Sequence, residues 1–362
     1  MNKLLLIGAL PPPVGGDAVW LKNFINHSLN QDLNIKIINT SFIGQRASQL
    51  GNNFYFLDEF RRTIKIWGLT FFNLILFKPE VVHLNCNCSK FGVIRDYFTA
   101  FIISIWGVPL ILHCHANVPD AIGKSYIGNL FLKRCLKIAS SILVLNEISS
   151  KYCNYLSGKR CVTIPNFVNE DFIASDHLIN SKITKVVFVG HMIRTKGLFE
   201  MVEVANRMPH ISFLMAGMLN LENLNLEPPK NMKFLGNIDF TMLKGVLDSS
   251  DLFMFPTYSE GFSLALLEAM ARGLPVVTTN VGANSDMIEK FGGLLVPTSD
   301  VEALCHALLQ LENPELRSSM SIWNIAKVKN NYTAHQIIEK IRDLYESQRE
   351  KSSKLNLLGS QE

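Results

Sequence analysis

The sequence lacks the short motifs that mark several common sites. None of its seven cysteines belongs to a Cys-x-x-Cys pair, and there is no Asp-x-Asp. The Gly-Lys-Ser at residues 123–125 has Val118 where a phosphate-binding P-loop requires its first glycine. An odd number of cysteines in a chain of 362 residues predicts a reduced, cytoplasmic protein rather than a disulfide scaffold.

Long apolar runs and blocks of one charge are lacking as well. The longest apolar stretch, residues 98–112, contains Gly107 and Pro109 and is shorter than the ~20 residues of a membrane-spanning helix. Residues 1–170 hold 17 Lys and Arg against 9 Asp and Glu, whereas residues 171–362 hold 18 against 22. A basic first half suits an anionic partner such as phospholipid headgroups, a lipid diphosphate or nucleic acid. Because the basic residues are scattered, we expect no nucleic-acid partner.

Short apolar runs alternate with amphipathic segments along most of the chain, which is typical of βαβ units and buried parallel sheets. The pattern lapses between about residues 164 and 184 and then restarts, so the predicted domains are 1–170 and 171–332. A helix at about 333–350 is expected to pack back on the first domain, ahead of a polar, frayed tail. The predicted fold is α/β: two Rossmann-like doubly wound parallel-sheet domains that face a central cleft, with ligands beyond the carboxyl ends of the strands. The predicted strands are Lys3–Ala9, Asn34–Asn39, Glu80–Asn85, Pro109–Cys114, Ser141–Leu145, Lys185–Gly190, Ile211–Ala216, Leu252–Phe255 and Pro275–Thr278.

Residues 255–286 carry the most informative pattern. A strand is followed by a loop with Glu260 and by a helix that starts near Gly261, whose first backbone N–H groups are free to bind an anion. Glu268 lies about two turns into this helix among apolar residues, so its carboxylate needs specific partners, such as two adjacent ribose hydroxyls. Taken singly, each glutamate favours a structural interpretation, with Glu268 as a member of an ion pair and Glu260 as a solvated acid in a loop. The N–H groups expected to bind an anion are those of Gly261, Phe262 and Ser263.

This stretch resembles glycosyltransferase family 4. The resemblance is carried by Glu260-Gly-Phe, by the second glutamate eight positions later, by Leu266-Leu-Glu-Ala-Met-Ala-x-Gly-x-Pro-Val-Val and by a downstream Val281-Gly. The family consists of retaining enzymes with the GT-B fold, in which the first glutamate contacts the donor sugar and the second contacts the ribose of a sugar nucleotide. The resemblance implies these roles for Glu260 and Glu268.

A second match lies at residues 186–197, where Val-Val-Phe-Val-Gly190 precedes a Lys196-Gly. It resembles the family's strand, Gly-Arg and later Lys-Gly, whose arginine and lysine neutralise the diphosphate of the leaving nucleotide. The resemblance implies donor binding for Gly190 and Lys196 and a catalytic role for Lys196. His191 stands where the family has its arginine, so either His191 or Arg194 takes that place. The alternative makes Lys196 a solvated residue before a helix.

Two features of the first half also match, within a resemblance that spans about residues 1–345. Gly15 and Gly16 follow the first strand, where they form either a turn or a close backbone approach to a ligand. The family has a Gly-Gly loop here, which implies donor binding for Gly16. Val108-Pro, a strand and His115 resemble the family's Val-Pro-strand-His, which implies a catalytic role for His115. A strand-end histidine is otherwise often a hydrogen-bonded structural residue.

An alternative interpretation of six other residues is a metal site. All six of its residues lie at the ends of two predicted strands that are expected to be neighbours, and histidine and cysteine are zinc ligands. The Cys-x-Cys spacing is unusual for structural zinc, and free cysteine packs as a small hydrophobic residue, so we predict no metal site. The absence of Asp-x-Asp argues against the metal-carried nucleotide sugars of the other main glycosyltransferase fold. The six residues are His83, Cys86, Cys88, His113, Cys114 and His115.

The resemblance therefore implies a retaining, metal-independent glycosyltransferase that needs no cofactor. It implies a nucleotide diphosphate sugar as donor, a saccharide or lipid-linked saccharide as acceptor, and a role in bacterial surface polysaccharide or lipopolysaccharide synthesis. Two alternatives stay open: a nucleotide-sugar epimerase on the same architecture, and a non-catalytic sugar-nucleotide or metal-binding protein.

Residues 54–77 form a basic and aromatic segment that contains Arg61, Arg62 and Lys65. Such a segment is either an amphipathic helix on an anionic bilayer or a core helix with a few exposed cations. Many members of the family extend lipid-linked saccharides at the cytoplasmic membrane face. We therefore expect a cytoplasmic protein that binds peripherally to the inner face of the cell membrane.

Overall fold

The structure is a computed structural model that describes residues 3–12, 15–41, 56–86, 88–219 and 227–359. It divides into two units: residues 1–166 with 334–362, and residues 167–333. The corresponding boundaries expected from the sequence lie after residues 170 and 332.

The first unit is built on a parallel sheet of six strands. Its strands are β1 (Lys3–Gly8), β2 (Asn34–Asn39), β3 (Val81–Cys86), β4 (Leu110–Cys114), β5 (Ser141–Val144) and β6 (Val162–Thr163). They are arranged in the order β2-β1-β3-β4-β5-β6, with every neighbouring pair parallel. All residues of β3 and β4 are buried, as expected for central strands whose sequences are apolar on both faces.

Within the described residues, six helices connect these strands. They are α1 (Gly16–Asn26), α2 (Phe56–Leu76), α3 (Gly92–Ile105), α4 (Val118–Ile122), α5 (Tyr126–Ile138) and α6 (Glu147–Ser157). Side-chain caps fix two of the starts: Ser125 Oγ accepts the N–H of Gly128, and Asn146 Oδ1 accepts the N–H of Ser149.

The second unit contains another parallel sheet of six strands. They are β7 (Lys185–Val189), β8 (Ser212–Ala216), β9 (Met232–Gly236), β10 (Leu252–Phe255), β11 (Val276–Thr279) and β12 (Gly293–Val296). The order is β12-β11-β10-β7-β8-β9, so the first strand of the unit, β7, lies beside β10 at the centre. This is the strand order of a Rossmann-type sheet.

The helices of the second unit begin at polar caps in four cases. Asp239, Ser263, Asp300 and Asn313 each accept a backbone N–H two or three residues further on. The helices are α7 (Leu198–Arg207), α8 (Phe240–Asp248), α9 (Leu264–Ala271), α10 (Asn284–Ile288), α11 (Val301–Gln310) and α12 (Pro314–Asn331).

A final helix, α13 (Ala334–Gly359), belongs to the first unit. The guanidinium of Arg342 donates two hydrogen bonds, of 2.6 and 2.8 Å, to the carboxylate of Asp32. The hydroxyl of Tyr345 is hydrogen-bonded to Nδ1 of His83 on β3. These contacts attach α13 to the first sheet.

The predicted α/β fold with two parallel sheets is confirmed, and the nine predicted strands agree with the structure to within one residue at each end. Three strands were not predicted from the sequence, namely β6, β9 and β12. All three are edge strands with partly or fully exposed residues, so they lack the continuous apolar run of a buried strand. The chain from residue 351 to 359 is helical rather than a frayed tail, because extending an existing helix avoids the cost of nucleation.

Among the helices that the structure describes, none is long and apolar enough to cross a membrane.

Candidate functional site

The second sheet has its switch point between β7 and β10, where the chain connections leave in opposite directions. Ligands of open α/β sheets bind beyond the carboxyl ends of the strands at such a point. The loops after these two strands, residues 190–197 and 256–263, carry most of the predicted donor-binding residues. The loops also contact each other, because the N–H of Tyr258 and the hydroxyl of Thr257 both donate to the carbonyl oxygen of Thr195, at 2.9 and 3.3 Å.

Two glycines permit this close packing of loops. Gly197 has φ +81°, and a Cβ there would lie 2.3 Å from the carbonyl oxygen of Pro256. Gly282, in the loop after β11, has φ +55°, and a Cβ there would lie 1.8 Å from the carbonyl oxygen of Glu260. Any larger residue would push the backbones apart. The Lys-Gly and Val-Gly patterns of the sequence therefore have a steric reason.

Lys196 and Glu260 form an ion pair where the two loops meet. The ammonium of Lys196 also lies 3.4 Å from the carbonyl oxygen of Ser259, and the Glu260 carboxylate lies 3.4 Å from the hydroxyl of Thr257. The side chains are 26% and 12% exposed, so both charges are largely removed from water. An anion that enters here meets a positioned cation, which interacts more strongly than an exposed lysine would.

Glu268 lies in α9 with its side chain half-buried. Burial raises the pKa of its carboxyl group from 4.5 to about 7. Within the described part of the chain, no side chain or N–H group donates a hydrogen bond to this carboxylate. Its position therefore suits hydroxyl donors supplied by a ligand, because a buried carboxylate without donors is costly.

Helix α9 begins at Leu264, three residues later than predicted. Ser263 is the N-cap: its hydroxyl accepts the N–H of Leu266 at 3.2 Å, and its carbonyl oxygen accepts the N–H of Leu267. The first amides of the helix are therefore those of Leu264 and Ala265. The sequence placed the anion-binding N–H groups on residues 261–263. In the structure, the N–H groups at the start of the helix belong to the first turn after the cap.

Gly261 and Phe262 precede the helix and fix the loop. The carbonyl oxygen of Gly261 accepts the N–H of Ala283 at 3.1 Å. The ring of Phe262 is 7% exposed and packs edge to face against Tyr332, with 5.3 Å between the ring centroids. Both residues position the Glu260 loop.

Gly190 begins the loop that follows β7, and its N–H donates to the carbonyl oxygen of Ala216 at 2.9 Å. His191 is partly buried next to it. Arg194 is exposed, and its guanidinium lies 5.2 Å from the ring centroid of Phe199 on α7. The two candidates for the arginine position therefore differ, since only Arg194 is on the surface.

A contact between Glu200 and Tyr258 was not predicted from the sequence. The Tyr258 hydroxyl donates a hydrogen bond to the Glu200 carboxylate, and this bond raises the pKa of Tyr258. The second carboxylate oxygen, Oε2, is buried and has no hydrogen-bond partner among the described residues. The available signal was an acidic residue in the first turn of the helix after Lys196-Gly.

The first unit holds the remaining predicted residues. Gly16 begins α1, beyond the carboxyl end of β1, with Gly15 as the cap residue. His115 follows β4 directly, and its N–H donates to the carbonyl oxygen of Cys86 at 2.8 Å. Its ring lies against Trp20 and His113, with centroid distances of 4.8 and 3.9 Å.

Burial lowers the pKa of His115 to about 3, so its imidazole is neutral at pH 7. Its Nε2 is buried and has no partner among the described residues. A neutral imidazole has one nitrogen that donates and one that accepts, so this atom suits a ligand hydroxyl.

Comparison with known proteins finds a family match in the second unit. Residues 169–327 match the family described as glycosyl transferases group 1.

The chain is similar to UDP-Gal:alpha-D-GlcNAc-diphosphoundecaprenol alpha-1,3-galactosyltransferase of Escherichia coli, with 24% identity over 74% of the chain and 75% of that protein. The capsular polysaccharide biosynthesis glycosyltransferase CapM of Staphylococcus aureus is 27% identical over 61% of the chain and 65% of that protein. Sucrose-phosphate synthase of Thermosynechococcus elongatus has a similar structure, with a TM-score of 0.78 at 16% identity, over 96% of this chain and 99% of that chain.

These likenesses confirm the predicted GT-B fold and the prediction of a glycosyltransferase related to enzymes of bacterial surface polysaccharide synthesis.

The residues of the alternative metal site lie on two sides of the first sheet. Because side chains alternate along a strand, His83 and His113 point to one face, and Cys86 and Cys114 point to the other, where they join the apolar core. His83 Nε2 lies 3.3 Å from Nδ1 of His113, and burial lowers the pKa of His83 to about 3. Among the residues that the structure describes, no three side chains of His, Cys, Asp or Glu are grouped to hold a metal ion.

Proposed function

We propose that the protein is a retaining glycosyltransferase that uses no metal ion and moves a hexosyl unit from a nucleotide diphosphate sugar to an acceptor hydroxyl. The observation that carries this proposal is the Lys196–Glu260 pair, held by two loops at the switch point of the second sheet. This pair offers one cation for the departing diphosphate and one carboxylate for the sugar.

The other residues of the second unit complete a donor site. Glu268 accepts hydrogen bonds from the two ribose hydroxyls. The first-turn amides of α9, after the Gly261–Ser263 loop, face the anionic end of the donor. Gly190, with His191 or Arg194, lines the part of the donor site that binds the diphosphate.

The first unit supplies His115 and Gly16. The neutral His115 imidazole directs its unpartnered Nε2 to a hydroxyl of the transferred sugar. Gly16 lets the backbone at the start of α1 approach the diphosphate and the acceptor.

Transfer proceeds on one face of the sugar. The bond between the anomeric carbon and the diphosphate oxygen breaks, and the acceptor oxygen bonds to the same face of that carbon. The acceptor proton moves to the departing diphosphate, whose charge Lys196 stabilises. The ion pair with Lys196 weakens Glu260 as a nucleophile, which favours this single displacement over a covalent glycosyl-enzyme.

The relatives suggest the substrate class. The E. coli relative is named for UDP-Gal as donor and for an acceptor on diphosphoundecaprenol, and CapM is named for capsular polysaccharide biosynthesis. We propose a uridine diphosphate sugar as donor, a lipid-linked saccharide as acceptor, and a role in bacterial surface polysaccharide synthesis.

Incubation of the protein with a panel of nucleotide sugars and with lipid-diphosphate-linked saccharides tests this proposal. We expect release of nucleotide that depends on acceptor, a product with the anomeric configuration of the donor, and unchanged turnover in EDTA. Sugar conversion without an acceptor would indicate an epimerase. Loss of turnover in EDTA that magnesium or zinc reverses would overturn the metal-free mechanism.

An exposed apolar stripe on α2 supports a membrane-bound acceptor. Most of its members are separated by three, four or seven residues along the helix, so they lie on one side of it. Arg61 and Lys65 are exposed in the same stripe. The exposed apolar residues of α2 are Leu57, Phe60, Ile64, Leu69, Phe71, Phe72, Ile75 and Leu76.

The stripe continues onto α3. Phe71 packs edge to face against Trp106 at 5.2 Å, and Phe98, Phe101 and Ile105 of α3 are also exposed. Contiguous exposed apolar surface marks an interaction site. With two cations in the stripe, we propose that it lies on the anionic inner face of the cell membrane.

Arg62 does not belong to this surface. It is 9% exposed, donates to the carbonyl oxygen of Thr40 at 3.1 Å and pairs with Glu59 at 2.6 Å. Arg62 therefore lies on the packed side of α2, and only Arg61 and Lys65 of the three basic residues are exposed.

Sedimentation with phosphatidylglycerol vesicles tests the membrane proposal. Each basic residue near an anionic surface contributes about 1 kcal/mol, so Arg61→Ser with Lys65→Ser should weaken binding ~30-fold at low salt. The matched control is Lys230→Ser with Lys233→Ser, which removes two exposed cations from the second unit. Binding that is equal in both double variants, or absent at low salt, would contradict the proposal.

A further inference from the structure

A hydrogen bond joins helix α7 to the loop that carries Glu260. Glu200 lies in the first turn of α7 and is 7% exposed, so its carboxylate is largely removed from water. The hydroxyl of Tyr258, two residues before Glu260 in the chain, donates to Oε1 of this carboxylate. Because a helix backbone is fixed by its own hydrogen bonds, Glu200 offers the loop an acceptor whose position is set by α7.

The Glu200 carboxylate depends on this bond. Its other oxygen, Oε2, is buried and has no hydrogen-bond partner among the residues that the structure describes. A buried acceptor without a donor destabilises the folded state, and a hydrogen bond to an ionised carboxylate is about twice as strong as one between neutral groups. The Tyr258 hydroxyl is therefore held firmly at Oε1.

Tyr258 is held to a second element through its backbone. Its N–H donates to the carbonyl oxygen of Thr195 at 2.9 Å, and Thr195 is the residue before Lys196 in the loop after β7. The two contacts of Tyr258 thus fix the loop after β10 against both the loop that carries Lys196 and the helix that follows it. The ion pair between Lys196 and Glu260 joins the same two loops.

The neighbouring residue, Thr257, extends the attachment to Glu260. The hydroxyl of Thr257 lies 3.3 Å from the carbonyl oxygen of Thr195 and 3.4 Å from the Glu260 carboxylate. The carbonyl oxygen of Thr257 accepts the hydroxyl of Thr279 at the end of β11. Residues 257 and 258 are therefore attached to three elements, and the bond to Glu200 supplies the attachment to α7.

We propose that Glu200 and Tyr258 are positioning residues for glycosyl transfer, which hold the Glu260 loop at the place where Glu260 meets Lys196. Glu200 acts through the Tyr258 hydroxyl, and Tyr258 acts through the two residues of backbone that lead to Glu260. Misplacing a catalytic group by about 1 Å can cost ~100-fold in rate. The effect on rate rests on the proposed function, whereas the attachment of the loop to α7 does not.

Single variants test the positioning role through kcat. Tyr258→Phe removes the hydroxyl and keeps the ring, whereas Glu200→Ala removes the acceptor. Each should lower kcat ~10- to 100-fold and leave the affinity for uridine diphosphate unchanged, because Glu268, which we assign to the ribose, lies beyond this loop on α9. Wild-type kcat in both variants, with only a lower unfolding midpoint, would show that the bond serves stability alone.

A conservative variant separates geometry from charge. Glu200→Gln keeps an oxygen that accepts the Tyr258 hydroxyl, so most of the wild-type kcat should remain. If Glu200→Gln is as slow as Glu200→Ala, the charge of Glu200 matters in its own right and the positioning role is wrong. The matched controls are Glu203→Ala, at a half-exposed glutamate of the same helix, and Tyr155→Phe, at an exposed tyrosine of the first unit.

A double variant tests whether the two residues act through one bond. Once Tyr258→Phe has removed the hydroxyl, Glu200→Ala should lower kcat no further. If the two losses multiply instead, each residue acts separately and the proposed pair is wrong.

Hydrogen–deuterium exchange tests the attachment of the loop without reference to activity. The amide of Tyr258, which donates to Thr195, should exchange ~10-fold faster in Glu200→Ala than in the wild type, because loss of the α7 contact lets the loop open more often. Unchanged exchange at this amide would overturn the attachment, whether or not the protein transfers a sugar. Faster exchange with wild-type kcat would overturn only the effect on catalysis. A wild type without turnover would overturn the proposed function, and exchange would still decide the attachment.

Discussion

Replacement of Lys196 by alanine should lower kcat ~100- to 1,000-fold while weakening donor binding far less. The charge on the diphosphate grows as the glycosidic bond breaks, and only an interaction that strengthens in the transition state raises turnover. Loss of one such positioned donor costs about 10²- to 10³-fold in kcat. Initial rates across donor concentration, with nucleotide affinity measured by calorimetry, separate the two effects.

A double-mutant cycle tests whether Lys196→Ala lowers kcat only because Glu260 loses its ion-pair partner. Lys196 is the ion-pair partner of Glu260, so alanine also leaves a largely buried carboxylate without its cation. In a Glu260→Gln background this cost disappears, while the role toward the diphosphate remains. We therefore expect Lys196→Ala to lower kcat there as well. If it has no further effect in that background, Lys196 acts only by holding Glu260. Lys230→Ala, at an exposed lysine of the same unit, is the control.

Replacement of Glu268 by glutamine should stabilise the free protein and weaken nucleotide binding. The pKa of Glu268 is about 7 in the folded chain against 4.5 for an unperturbed carboxyl group. Between these pH values the folded state binds more protons than the unfolded state, so stability falls as the pH rises from about 4.5 to 7. The full cost above pH 7 is ~3 kcal/mol, an upper value for a side chain that is only half-buried.

Nucleotide affinity should change with pH in the direction opposite to stability. Ribose hydroxyls donate to the ionised carboxylate, so nucleotide affinity should rise as the pH rises through 7. Glu268→Gln should lose this pH dependence and bind at least ~10-fold more weakly, the value of a hydrogen bond to a charged group. Denaturant unfolding at pH 5 and pH 8, with calorimetry at the same values, tests both effects. Glu227→Gln, at an exposed glutamate, is the control. Unchanged affinity in Glu268→Gln would contradict the ribose assignment.

The residues of the candidate site could be predicted from the sequence, but the ion pair between two of them could not. Lys196 and Glu260 each belong to a local pattern in the sequence, but these patterns implied separate roles for the two residues. The structure adds that they form an ion pair, because the loops after β7 and β10 meet at the switch point. The start of α9 moved from Gly261 to Leu264 for a local reason that the sequence contained, namely the Ser263 cap.

The alternation of strands and helices was predictable from the sequence, since burial on both faces of a parallel strand requires a continuous apolar run of residues. The sequence also marked the glycines that allow close backbone contacts, such as that of Gly282 with Glu260. The side of a strand or helix on which each polar residue lies became known from the three-dimensional packing alone. It separated His83 and His113 from Cys86 and Cys114 on opposite faces of one sheet, and it buried Arg62 while exposing Arg61. Those outcomes depend on packing between segments far apart in the chain, whereas the periodicity of one segment records only its own burial.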